Sequence, residues 1–168
     1  LTERAAAAVV AGRKAVMEAA QRTFISSTYW TERIGPAAAL ATIKKHRLNK
    51  VHEHLVSMGE KVQSGWKNAA ENSGLTVEVG GIYPLSHFTI QHEQSQAAHT
   101  LFTQVMLGKG FLASRSFYAT YAHRDEHVES YLKAVGETFK MISEALASGQ
   151  IIERLRGPVA HTGFRRLT

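Results

Sequence analysis

The chain has 168 residues, of which 44% are apolar and 20% are charged, a composition typical of a globular protein with a buried core. It contains no cysteine and no run of roughly 20 apolar residues, so we expect no disulfide, no thiolate metal site, no membrane-spanning helix and a cytoplasmic location. The net charge of +6 is spread along the chain, so we expect a solvated basic surface and no nucleic-acid or membrane partner.

Short elements are predicted in the first part of the chain. The apolar run at 5–11 fits a helix or a strand by periodicity, and Val9-Val10 followed by Gly12 favours a short buried strand at its end. A helix at 14–21 and a hydroxyl-rich loop at 22–34 come next. Gly35-Pro36 then indicates the start of another helix, because proline fits the first helical turn and residues 37–45 are rich in helix-forming side chains.

Longer helices and short extended segments follow. The helix predicted over 48–70 has apolar residues at spacings of three and four, and Gly74 is expected to end it. The remaining elements are strands at 75–80 and 86–91, a helix at 94–107, an extended segment at 111–121 and a helix at 124–146 that Gly149 ends. This order predicts an α+β fold with helices packed on one face of a small, mostly antiparallel sheet.

The segment before Gly35 is the most informative about chemistry. Its hydroxyl residues are Ser26, Ser27, Thr28 and Thr31, and Arg33 follows them. The N-terminus of a helix presents free N–H groups and a partial positive charge, which suit a phosphate, and hydroxyl groups add further donors. In the alternative interpretation, Ser27 or Thr31 simply caps the helix.

The histidines do not have the spacing of metal ligands. His52 and His54 are two residues apart and therefore point to different sides of a helix. His87, His92 and His99 match no known ligand pattern. We therefore predict no metal site.

A set of short motifs occurs in a fixed order along the chain. They are Gly12-Arg13, Ile25-Ser26-Ser27-Thr28, Gly35-Pro36-Ala37, Gly80-Gly81, Met106-Leu107-Gly108-Lys109-Gly110-Phe111, Tyr121-Ala122-His123 and Gly157-Pro158-Val159-Ala160. The ordered set resembles the class III pyridoxal-phosphate-dependent aminotransferases, and within them the glutamate-1-semialdehyde aminomutase-like branch. The resemblance covers nearly the whole chain after about Val9.

The resemblance implies that the chain is the C-terminal part of a fold-type I pyridoxal-phosphate-dependent transferase that is a homodimer. Residues 1–47 would be a remnant of the large cofactor-binding domain, residues 48–148 the small α+β domain, and residues 149–168 a C-terminal tail. Pyridoxal 5'-phosphate would be the cofactor of the parent enzyme.

The resemblance also implies a role for the Ser-Thr loop. In the family, a threonine of this loop binds the cofactor phosphate and reaches into the partner subunit's site. The match at Ile25-Ser26-Ser27-Thr28 and the following Glu32 assigns this role to Thr28, with Thr31 as the second choice and Ser27 as a neighbour in the same pocket. His123 is either a residue that precedes a helix cap or, by the resemblance, a residue near the mouth of the active site.

The groups that carry the chemistry are expected outside the chain. The resemblance places the lysine that forms the Schiff base just before Leu1, and Lys14 lies on the wrong element. The partner of the pyridine nitrogen and the aromatic that stacks on the ring would also be absent. We therefore predict no catalytic residue in this chain. We also predict no amino transfer without its partner, which is either the missing N-terminal domain or a second subunit. The substrates of the complete enzyme would be a small amino-group donor and acceptor. The alternative is a non-catalytic stand-alone domain for dimerisation or for binding an anionic ligand.

Overall fold

The computed structural model describes residues 12–22 and 32–163. The chain divides into two compact units between Val51 and His52. The strand predicted at 5–11 and most of the predicted loop lie outside the described residues. The assignment of chain segments to the domains of a larger enzyme stays a prediction.

The described residues of the first unit are mostly helical. Helix α1 spans Lys14–Met17 and continues as a 3-10 helix over Glu18–Arg22, and α2 spans Ile34–Leu48. Pro36 lies in the first turn of α2, as the sequence predicts. No residue of these helices is buried.

The second unit is built from helices and a three-stranded sheet. Its elements are α3 (Val51–Ser73), β1 (Val77–Gly80), β2 (Leu85–Ile90), α4 (Ser95–Gly108), β3 (Ser116–Tyr118) and α5 (Asp125–Ala147). The strands are antiparallel in the order β1-β2-β3, with Val77 opposite Ile90 and Leu85 opposite Tyr118. Within 12–22 and 32–163, no helix combines the length and the apolar character needed to cross a membrane.

Two strands are shorter than the sequence predicts. At the start of β1, the Leu75 N–H donates to the Ala70 carbonyl at 3.0 Å, so residues 74–75 still close the C-terminus of α3. Gly74 has a φ of +67°, which a glycine adopts without strain. At the far end of β2, the Ile90 N–H donates to His99 Nε2 at 3.3 Å and not to a third strand. β3 therefore covers only three residues of the extended segment predicted at 111–121.

Phe88 lies at the centre of the core. Its fully buried ring lies 4.9 Å from that of Trp66 on α3, 5.1 Å from that of Phe102 on α4 and 5.4 Å from that of Phe139 on α5. Burial of each ring contributes about 2–3 kcal/mol. All three helices therefore pack on the sheet face that carries Phe88, and the predicted α+β arrangement with helices on one face of an antiparallel sheet is confirmed.

Buried polar groups join the helices to one another and to the sheet. The Trp66 Nε1–H donates to the Tyr131 hydroxyl at 3.0 Å, and burial raises the pKa of that hydroxyl. The Gln63 amide donates to Ser86 Oγ at 3.0 Å and to the Gly81 carbonyl at 3.1 Å. These bonds satisfy groups whose burial would otherwise be costly. The first fixes α3 against α5, and the Gln63 bonds fix α3 against the β1–β2 turn and the start of β2.

Candidate functional site

The residues predicted to bind a phosphate, Ser27, Thr28 and Thr31, lie outside the described residues, so their role stays a prediction. The start of α2, which follows them, is described. Arg33 occupies the cap position without a capping hydrogen bond from its side chain, and the first turn contains no acidic residue. Because Pro36 has no N–H and the Ala37 N–H donates to the Arg33 carbonyl at 3.0 Å, the N–H groups of Ile34 and Gly35 have no intrahelical acceptor. Such a helix start suits an anion.

The lysines of the chain are all exposed, and all of them lie in the described residues. Lys14 is the first residue of α1. A lysine that forms a Schiff base is activated by burial or by a neighbouring cation, which lowers its pKa. No described lysine has a buried environment of this kind. The position of the reactive lysine outside this chain stays a prediction.

Three histidines surround the start of α5. The His123 imidazole accepts the Thr120 N–H at Nδ1 at 3.0 Å, and the His123 carbonyl accepts a hydrogen bond from His54 Nε2, also at 3.0 Å. The Arg124 N–H donates to His127 Nδ1 at 3.2 Å. Burial, together with His127 and His54, lowers the pKa of His123.

These contacts explain the histidines as local hydrogen-bonding groups. His123 directly precedes Arg124, the cap residue of α5. No group of three potential ligands that could hold a metal ion occurs among the described residues. The interpretation of His123 as a residue near the mouth of an active site stays a prediction.

A cleft of about 730 Å³ lies between α4, the residues just before β3 and the C-terminal segment 154–163, and we call it the α4 cleft. Its polar lining includes Arg115, Arg156, His99, His161, Thr100 and Thr103. None of the described residues that line it is an aspartate or a glutamate.

The C-terminal segment is attached to α4 by a series of hydrogen bonds. Gln96, Thr100 and Gln104 are four residues apart and therefore share one face of the helix. Gln96 Nε2 donates to the Ala160 carbonyl at 2.8 Å, and Thr100 Oγ1 accepts the Ala160 N–H at 3.1 Å. Gln104 accepts the Arg156 N–H at 2.7 Å and donates to the Arg154 carbonyl at 2.9 Å. This cleft was not predicted from the sequence, in which its local signal is the spacing of three polar residues on α4.

The comparisons with known proteins agree with this fold. No family model matches the chain. The chain is 23% identical over 147 residues to a 3-aminobutyryl-CoA aminotransferase from Cloacimonas acidaminovorans (strain Evry). The aligned region covers 84% of this chain and 36% of that protein. The pyridoxal-phosphate internal aldimine form of the FumI protein from Sphingopyxis sp. MTA144 superposes on 82% of this chain with a TM-score of 0.70 and 19% identity, over 34% of its own length.

The chain thus spans about a third of the length of both proteins. The structural likeness shows that the two chains share a fold, and the sequence likeness is to an aminotransferase. Together they confirm the predicted resemblance to the pyridoxal-phosphate-dependent aminotransferases.

Proposed function

We propose that the chain is the C-terminal portion of a pyridoxal-phosphate-dependent aminotransferase or aminomutase. The superposition of 82% of the chain on a third of the FumI protein, with a TM-score of 0.70, carries the proposal. In this proposal residues 48–148 are the small domain, residues 1–47 belong to the large domain and residues 149–168 form a tail, in a cytoplasmic homodimer. The substrates would be a small amino-group donor and acceptor.

The proposed contribution of this chain is to hold the cofactor phosphate. Thr28, with Ser27 beside it, would donate hydroxyl hydrogen bonds, and Thr31 is the second choice for this role. The N–H groups of Ile34 and Gly35 at the start of α2 support the proposal, because they add donors and a partial positive charge next to this loop. The bound cofactor would supply the electron sink for amino transfer.

The reactive lysine is proposed to lie outside this chain. The test is to incubate the purified 168-residue chain with pyridoxal phosphate, reduce it with borohydride and locate pyridoxyl groups by mass spectrometry. We expect weak labelling spread over the exposed lysines, because none of them is activated by burial. Stoichiometric labelling of one lysine, with amino transfer by the chain alone, would contradict the proposal.

The role of Thr28 is tested in a protein that contains this chain together with the lysine-bearing portion. Thr28→Ala would remove one hydrogen bond to a charged group, worth about 1.5–3 kcal/mol, so the affinity for pyridoxal phosphate is expected to fall about tenfold or more. Thr42→Ala is the matched control, because the Thr42 hydroxyl donates to the Ala38 carbonyl within α2 at 2.8 Å. If Thr31→Ala lowers the affinity for pyridoxal phosphate and Thr28→Ala does not, the phosphate-binding role belongs to Thr31.

A further inference from the structure

Two arginines face the α4 cleft from different parts of the chain. Arg115 lies just before β3, and Arg156 lies in the C-terminal segment. Neither forms an ion pair with any residue that the structure describes, and no described carboxylate lines the cleft. Two guanidinium groups that line one cleft without a counter-charge make it favourable for an anion.

The imidazole of His99 belongs to the lining of the same cleft. Its Nε2 accepts the Ile90 N–H, so the proton of the neutral ring is at Nδ1. That Nδ1 is buried and has no hydrogen-bond partner among the described residues. Burial, and after it the charge of Arg115, lowers the pKa of His99 from 6.5 to about 4. The ring is therefore neutral at pH 7. The effect of Arg115 on this pKa also means that the positive charge of Arg115 lies near the ring.

The C-terminal wall of the cleft is held in position before any ligand binds. Gln104 bonds to the backbone on both sides of Leu155, through the Arg154 carbonyl and the Arg156 N–H. Thr100 and Gln96 hold Ala160 in the same way. The segment is therefore already ordered before a ligand binds. Binding then carries no entropic cost for ordering it, which favours affinity.

We propose that the α4 cleft binds a doubly charged oxyanion group of a small molecule, either a phosphate or a dicarboxylate, between Arg115 and Arg156. Arginine suits such a group because its planar fork donates two parallel hydrogen bonds to two oxygens. The exposed hydroxyls of Thr103 and Ser114 add donors at the cleft wall. All these residues belong to this chain, so the inference does not rest on the proposed aminotransferase function.

The test is calorimetric and NMR titration of the 168-residue chain at constant ionic strength, with inorganic pyrophosphate and with succinate as probes. We expect saturable one-to-one binding of at least one probe, with backbone amide shifts at Thr103, Arg115 and Arg156. Tighter binding of pyrophosphate would identify a phosphate ligand and tighter binding of succinate a dicarboxylate. Equal binding would support an oxyanion site without preference.

Variants separate a built site from general charge attraction. Arg115→Gln and Arg156→Gln are each expected to weaken binding about tenfold or more, the loss for one charge-assisted bidentate contact. Both side chains are exposed, so the amide spectrum should show an intact fold. Arg47→Gln, which removes the same charge from an exposed position on α2, is expected to change the affinity less than twofold. Absence of saturable binding, or an equal loss with Arg47→Gln, would overturn the proposal.

Discussion

The contact between Gly59 on α3 and the β1–β2 turn provides a sharp test of the packing. A Cβ atom added at Gly59 would lie 1.8 Å from the Tyr83 carbonyl oxygen, whereas one added at Gly136 on α5 would have no heavy atom within 4 Å. Ordinary contacts of this kind are at least 3.0 Å, so the turn would have to move by about 1.2 Å. The obstacle is backbone, which cannot rotate away as a side chain can.

The displacement would also strain the hydrogen bonds of the turn. Ser86 Oγ donates to the Tyr83 carbonyl at 2.8 Å, and Gln63 donates to the Gly81 carbonyl. Overpacking costs about 1–3 kcal/mol and each lost bond about 1 kcal/mol, against a gain of about 1 kcal/mol in helix propensity. We expect Gly59→Ala to lower the free energy of unfolding by about 2 kcal/mol.

Gly136→Ala is the matched control, because it keeps only the gain in helix propensity, at most about 1 kcal/mol. Gly65→Ala should fall between the two, since the added Cβ would lie 2.4 Å from methyl groups of Leu132, whose side chain can change rotamer. Urea unfolding followed by circular dichroism measures all three variants. Equal stability of Gly59→Ala and Gly136→Ala would refute the close approach of α3 to the turn.

Three further predictions concern the core, His99 and the C-terminal segment. Tyr131→Phe leaves the Trp66 indole N–H buried without an acceptor and should lower the free energy of unfolding by about 1–3 kcal/mol, whereas in a Trp66→Phe background the same change should cost less. NMR titration should show the His99 ring protonating near pH 4, the value to which burial and Arg115 lower its pKa. In the unfolded chain this imidazole has a pKa of 6.5, so the unfolded state binds the proton first and the free energy of unfolding should fall as the pH is lowered from 6.5 to about 4. His99→Gln should remove this contribution to the pH dependence of the free energy of unfolding. Gln104→Ala should speed hydrogen exchange of the Arg156 amide, while exchange of the Phe88 amide, which donates to the Arg115 carbonyl at 2.9 Å, stays unchanged.

The helices were predictable because their signals are local. Apolar residues at spacings of three and four mark α3 and α5, and Gly74 and Gly149, with φ of +67° and +70°, follow their C-termini as expected. The strand limits were less accurate, because they depend on partners distant in sequence. The Ile90 N–H bonds to His99, nine residues away, and no local pattern indicates that choice.

The two candidate sites also differ in whether a local sequence signal identifies them. The phosphate-binding role of Thr28 rests on motif order, and the structure describes only the helix start that follows it. The α4 cleft depends on the C-terminal segment, which the resemblance to the family identified only as a tail. Gln104 and Arg154 are 50 residues apart, so their contact forms only through the fold.

The central proposal is that this chain is part of a pyridoxal-phosphate-dependent aminotransferase. The most direct measurement is the conversion of bound pyridoxal phosphate to pyridoxamine phosphate by an amino donor, in a protein that contains this chain and the lysine-bearing portion. We predict conversion when both are present, none with this chain alone, and weaker cofactor binding with Thr28→Ala. A complete protein that binds no pyridoxal phosphate, or that binds it and never converts it with any amino donor, would contradict the claim.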